Sequence, residues 1–142
     1  MTSSSWLCSL SPADLFAQLE LHAIPTADLP GPGNYPVDVV VEEHHQDGLN
    51  GICGGKTANG QHRITNAVLV CEDDGEAVRV DIEGWTVGHL RSRDARRYRQ
   101  QLIAGGNEGM PGICSAKIVG GWYRGEGDEG DYEVKLDLQA SE

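Results

Sequence analysis

His44-His45 stands beside Glu42, Glu43 and Asp47, a mixture of imidazole and carboxylate that suits zinc or a harder cation. Adjacent histidines point apart, however, and neither an H-E-x-x-H nor a C-x-x-C spacing accompanies them. No metal and no other cofactor is expected. Glu72-Asp73-Asp74 with Glu76 forms a second acidic run, read as a solvated turn. Nucleophilic chemistry lacks its signature, because no G-x-S-x-G is present. Gly120-Gly121 is not part of a G-x-x-x-x-G-K-[ST] phosphate loop. The chain is therefore expected not to be an enzyme, a small hydrolase being the remote alternative.

The cationic residues are more concentrated. Arg91, Arg93, Arg96, Arg97 and Arg99 place five of the eight arginines within nine positions, tempered by Asp94. A guanidinium fork matches phosphate, which makes this segment the candidate nucleic-acid contact, with Tyr98 as an aromatic edge nearby. The competing reading is a solvated helix whose arginines balance acidic loops around it. The opposite chemistry appears in Glu126, Asp128, Glu129 and Asp131. These carboxylates can stand where DNA phosphates would and engage a basic protein partner.

These groups need elements to hold them. Ser11-Pro12-Ala13-Asp14 carries a capping serine, a proline at the first helical position and an early acid. Leu15, Leu19 and His22, with Phe16, continue it as a short amphipathic helix through about His22, docked on the domain. Pro25 to Pro36 is rich in proline and glycine and predicts an extended linker without regular structure. Val37–Val41 reads as a strand, and Gln46–Cys53 as a short helix stopped by Gly54-Gly55. His62–Cys71 and Ala77–Ile82 read as strands, the latter alternating apolar and polar. Glu83-Gly84 then turns the chain into Trp85–Leu90, a hairpin. Ser92 opens a helix to about Ala104, with Ala95, Tyr98 and Leu102 on one face. Ile113–Tyr123 and Asp131–Leu138 close the chain as strands around a mobile acidic loop, Arg124–Gly130. Strands dominate and no βαβ repeat appears. The expected fold is mainly β with two or three helices, a small β-barrel.

A chain of 142 residues accommodates one hydrophobic core. Its 19 glycines, nearly double the usual ~7%, fit many short turns. Acids outnumber bases 22 to 11 for a net charge of -11, which opposes generic polyanion binding. The charge is uneven. Residues 1–62 hold seven acids and one base, 63–104 seven of each, and 105–142 eight acids and three bases. No apolar run is long enough to span a membrane, and the N-terminus lacks the pattern of a signal peptide. Cys8, Cys53, Cys71 and Cys114 are widely spaced, as expected for reduced, buried thiols of a cytoplasmic protein.

The run 77–90, ending Val87-Gly88-His89-Leu90, resembles the hairpin of HIRAN domains. The helix 92–102 and the segments 114–122 and 132–138 follow in the family's order. Val39-Val40-Val41-Glu42 with Gln46-Asp47-Gly48-Leu49 is similar to its opening strand and helix. The resemblance covers about 37–138, so 1–36 is read as an appended helix and linker and 37–142 as the domain. It implies an OB- or SH3-like barrel that binds a single-stranded DNA end without catalysis. His45 stands where the family carries a base-stacking aromatic, and the short acidic run 72–77 stands where it carries its DNA-end loop. Two functions follow. One is a DNA-binding module using Arg91, Arg93, Arg96, Arg97, Arg99, Tyr98 and His45. The other is an acidic protein-binding module, a DNA mimic such as a phage or mobile-element inhibitor of a nucleic-acid-binding complex. A protein partner is expected for the second reading and DNA for the first.

Overall fold

The computed structural model describes residues 11–20, 26–29, 31–72 and 77–138. Helix α1 is Pro12–Glu20, followed by β1 (Ala27–Asp28), β2 (Val37–Val40), a 3₁₀ turn (Glu43–His45) and α2 (Gln46–Cys53). Then come β3 (Gln61–Cys71), β4 (Val78–Ile82), β5 (Trp85–Leu90), α3 (Ser92–Ala104), β6 (Gly112–Gly120) and β7 (Tyr132–Leu136). Six strands close into an antiparallel barrel in the order β6, β3, β4, β5, β2, β7 and back to β6. Three α-helices accompany it among the described residues, so the architecture is the small, mainly β barrel that the strand pattern predicts.

Tight turns and close approaches set this geometry. Glu83 (φ 50°) and Gly84 (φ 86°) form a left-handed pair between β4 and β5, which is the twist a two-residue hairpin needs. Gly54 ends α2 at φ 78°, as the Gly54-Gly55 signal predicts. Gly88 is fixed by packing, since a Cβ there would lie 2.3 Å from the Val40 carbonyl oxygen where β2 crosses β5.

Alternation along the strands fills the interior. Ala67 and Leu69, Val78, Val80 and Ile82, Val87, Cys114, Ala116 and Ile118, and Val134 and Leu136 share one core. Leu49 of α2 and Ala95, Tyr98 and Leu102 of α3 join it. Gly48 of α2 packs on Trp85, at the start of β5, whereas Tyr98 of α3 packs on Gly112, at the start of β6. The two helices therefore cover opposite barrel ends. β4 departs from the half-buried expectation, because all five residues, including Arg79 and Asp81, are buried.

The segment read as a structureless linker is tied down instead. Ala27 and Asp28 pair in parallel with Gly112 and Ile113, on the stretch of β6 that β7 does not reach, since β7 pairs with Ala116–Gly120. Further on, the Asp137 carboxylate accepts the N–H groups of Gly33 (2.8 Å) and Tyr35 (3.1 Å). A buried carboxylate thus substitutes for sheet partners that a proline-rich chain cannot supply. Helix α1 starts at its predicted cap, with the Asp14 N–H donating to Ser11 Oγ (3.1 Å). Its Leu15 packs on Val68 and Val70, which face outward from β3. The predicted end at His22 lies outside the described residues.

Candidate functional site

Helix α3 positions the arginines, and its packing divides them. Tyr98 is 2% exposed, and burial pushes its phenol well above the usual range. A ring turned inward cannot stack on a base, so the expected aromatic edge is absent from this surface. The same 3.6-residue period that buries Ala95 and Leu102 carries Tyr98 inward with them.

Arg99 is committed to the fold. Its Nη2 donates to the carbonyls of Glu72 and Ala77, both at 2.9 Å, and so ties the end of β3 to the approach to β4. Arg91 Nη2 donates to Asp38 Oδ2 (3.1 Å), and the other oxygen of that carboxylate accepts Lys135 Nζ (2.8 Å). The Lys135 hydrogen bond, helped by the charges of Lys135 and Arg91, holds Asp38 below the ordinary carboxylate value. The Nε of Arg97 is buried. Arg93 and Arg96 are exposed on the outer side of α3.

His45 likewise faces inward, at 7% exposure. Its Nδ1 accepts the Glu42 N–H (3.2 Å), which closes the 3₁₀ turn from within. The ring lies 4.0 Å from that of His44 and 6.2 Å from that of His89. Burial, and then the neighbouring imidazoles, lower its pKa against the pull of Glu42. His45 is therefore a structural cap and not a stacking platform. His89 Nε2 meets Glu72 Oε1 at 2.9 Å. Among the described residues no group of three or more His, Cys, Asp or Glu side chains is placed to hold a metal ion. Burial also pushes the Cys114 thiol up to about 12 and raises that of Cys53, so neither is an activated nucleophile. Cys8 lies outside the described residues.

The acidic connection, expected as a mobile loop, is a turn closed by its own backbone hydrogen bonds. The Arg124 N–H donates to the Asp128 carbonyl, Asp128 to Gly125 and Gly130 to Trp122, at 2.9 to 3.0 Å. Trp122 anchors it. The indole packs flat enough on Gly130 that a Cβ there would lie 2.1 Å from the ring, while Nε1 donates to Asp128 Oδ1 (3.3 Å). Arg124 Nε donates to the Ala58 carbonyl (2.9 Å), and Lys56 Nζ pairs with Glu129 Oε1 (2.8 Å). Glu126, Asp128, Glu129 and Asp131 are all exposed, and Glu133 extends the series along β7. The pattern Gly-Gly-Trp with a glycine eight positions after Trp122 was the sequence signal for this anchor, but no local rule names Lys56 or Ala58 as its partners.

The structure thus brings the four predicted partner-binding carboxylates together on one supported turn. It scatters the predicted nucleic-acid residues between surface and interior. No helix among the described residues is long and apolar enough to cross a membrane. Compared with family models, with curated proteins and with solved structures, the chain matches none.

Proposed function

We propose that this chain is a non-enzymatic binding module whose acidic turn, Arg124–Asp131, engages a basic face of a protein partner. One observation carries the reading: the carboxylates sit on a turn already fixed by backbone bonds and by Trp122. A preorganised array loses little conformational freedom on binding. Fixed negative charges also complement a surface built to receive phosphates, and they speed encounter. A DNA-mimicking role follows from the same feature, with a nucleic-acid-binding protein as the partner class.

An oligoarginine peptide serves as the probe, with binding read by fluorescence anisotropy across a salt series. Neutralising Glu126, Asp128, Glu129 and Asp131 to their amides should weaken binding and flatten its salt dependence. Neutralising four other exposed acids, Asp14, Glu43, Asp47 and Glu108, changes net charge equally and should weaken it much less. Equal losses from both sets would refute the turn as the site.

The exposure of Arg93 and Arg96 favours a second reading, weak single-stranded DNA binding along the outer side of α3. A labelled oligothymidylate at low salt tests it, because phosphate contacts are strongest there. Binding abolished by Arg93→Glu with Arg96→Glu would support this reading over the first.

A further inference from the structure

The chain carries two asparagine–glycine steps, Asn50-Gly51 and Asn59-Gly60. In such a step the glycine nitrogen can attack the asparagine amide carbon and close a succinimide ring. Glycine has no Cβ to hinder the approach, and it leaves the backbone free to take up the geometry. Closure requires the asparagine ψ to turn until the nitrogen reaches Cγ. Both steps share the same intrinsic chemistry, so the fold decides which of them reacts.

Asn50 is held in place. It lies within α2, where bonds between each N–H and the carbonyl four residues back fix the backbone torsions. Its carbonyl accepts the N–H groups of Gly54 and Gly55, and its Oδ1 accepts the Tyr132 hydroxyl at 2.7 Å. Turning ψ here breaks the end of the helix and strips a buried tyrosine of its partner. Asn59 is held by far less. It is exposed on the connection between α2 and β3, and among the described residues its side-chain amide has no hydrogen-bond partner. The Gly60 N–H donates to the Thr57 carbonyl at 3.3 Å, longer than the roughly 2.7–3.2 Å usual for such a bond. A second tie across the turn, from Thr57 Oγ1 to the Gly60 carbonyl (3.0 Å), is open to solvent.

We infer that Asn59 is a site of spontaneous modification whose conversion loosens the acidic turn. The Gly60 nitrogen loses its proton and bonds to Asn59 Cγ, and the Cγ–Nδ2 bond breaks to release ammonia. Solvent water then opens the succinimide at either carbonyl, giving aspartate by one route and isoaspartate by the other. The isoaspartyl product carries the main chain through the former side chain and so lengthens it by a methylene group. That change falls where the turn is fastened. The Thr57 N–H donates to the Gly121 carbonyl (3.2 Å), and the Thr57 carbonyl accepts the Tyr123 N–H (2.9 Å). The Ala58 carbonyl accepts Arg124 Nε (2.9 Å). A longer chain beside these bonds cannot keep all of them, and Arg124 is released. The inference holds whatever the turn binds.

The full chain is aged at mildly alkaline pH, folded and, in parallel, unfolded in urea. Peptide mapping by mass spectrometry reads the replacement of NH2 by OH at each asparagine and separates isoaspartyl from aspartyl peptides. In urea Asn50 and Asn59 should convert at similar rates. In the folded chain Asn50 should lag Asn59 by about tenfold or more, the factor that ~1.4 kcal/mol of helix opening supplies. Similar rates in the folded chain, or an Asn59 that does not convert there, would overturn the site. Trypsin should cut the isoaspartyl form, isolated by ion exchange, after Arg124 several times faster than the parent. Asn59→Asp adds the charge without lengthening the backbone and should be cut like the parent, as should Asn59→Gln aged alongside. An isoaspartyl form cut no faster than the parent, or either variant cut as fast as the isoaspartyl form, would overturn the loosening.

Discussion

Arg79 and Asp81 offer the sharpest test of how this barrel holds together. They lie on β4 at 9% and 2% exposure, on the face turned away from the core residues Val78 and Val80. Arg79 Nε donates to both Asp81 oxygens at 3.0 and 3.1 Å, and Thr86 Oγ1 adds a third donor at 2.9 Å. Residues of α1, Pro12, Leu15 and Phe16, line the crevice that reaches Asp81. Arg79→Met preserves much of the stem volume but leaves a buried carboxylate without its countercharge, a change that costs about 3–5 kcal/mol. A domain of this size is stable by about 7–15 kcal/mol, so the loss is a large fraction of the whole. With a urea m-value of ~2 kcal/mol/M, the midpoint should fall by about 1.5–2.5 M.

Replacing both partners, Arg79→Met with Asp81→Leu, should recover most of that loss, because an apolar pair needs no desolvation. The pH dependence has a definite sign. Burial already pushes Asp81 above its ordinary value in spite of Arg79. Removing the cation raises it further, so the native state binds the proton more readily than the unfolded chain. The Arg79→Met penalty should therefore be smaller near about pH 4 than near about pH 7. A single-variant loss under about 1 kcal/mol, or a double variant as unstable as the single, would refute the claim that this pair is held by charge in a dry environment.

Two further perturbations follow. Leu15 is 1% exposed and packs on Val68 and Val70, so Leu15→Ala should cost about 2–5 kcal/mol. Limited proteolysis should then cut first within α1. If cleavage begins elsewhere, this helix is not held by its leucine. His45 is held neutral by burial with His44 and His89 beside it, against Glu42, and its folded pKa lies below the ordinary value of 6.5. Its contribution is thus complete above about pH 6.5 and fades as pH falls toward the folded value, when Nδ1 can no longer accept the Glu42 N–H. His45→Gln should flatten that slope in urea titrations, and an unchanged slope would exclude His45 as its source.

Much of this architecture was legible because local signals and tertiary packing agree. Gly54-Gly55 ended α2, Glu83-Gly84 made a hairpin, and Ala95, Tyr98 and Leu102 formed the buried stripe of α3. Errors arose where a partner distant in sequence decided the matter. The proline-rich stretch gained order from Asp137, about a hundred residues away. The acidic connection gained order from Trp122 and from Lys56 and Ala58 across the barrel end. Composition describes such segments only as they would behave alone.

The surface chemistry was harder to read for a related reason. Clustering in sequence says how many guanidinium groups are near one another, but not which of them the fold consumes. Arg99 is used to tie together Glu72 and Ala77, more than twenty positions earlier, and Arg91 shares Asp38 with Lys135. Both contacts depend on strand register, which no arginine motif encodes. The carboxylates of 126–131 run the other way. They project from a tight turn whose interior is filled by Trp122 and whose backbone groups bond to one another, and this leaves little room for acidic side chains inside. The fold nevertheless uses part of this charge, as it does on the helix: Glu129 pairs with Lys56, and Asp128 accepts the Trp122 indole N–H. What distinguishes the turn is that all four carboxylates stay exposed while so engaged, whereas α3 draws Tyr98 and the Nε of Arg97 inside.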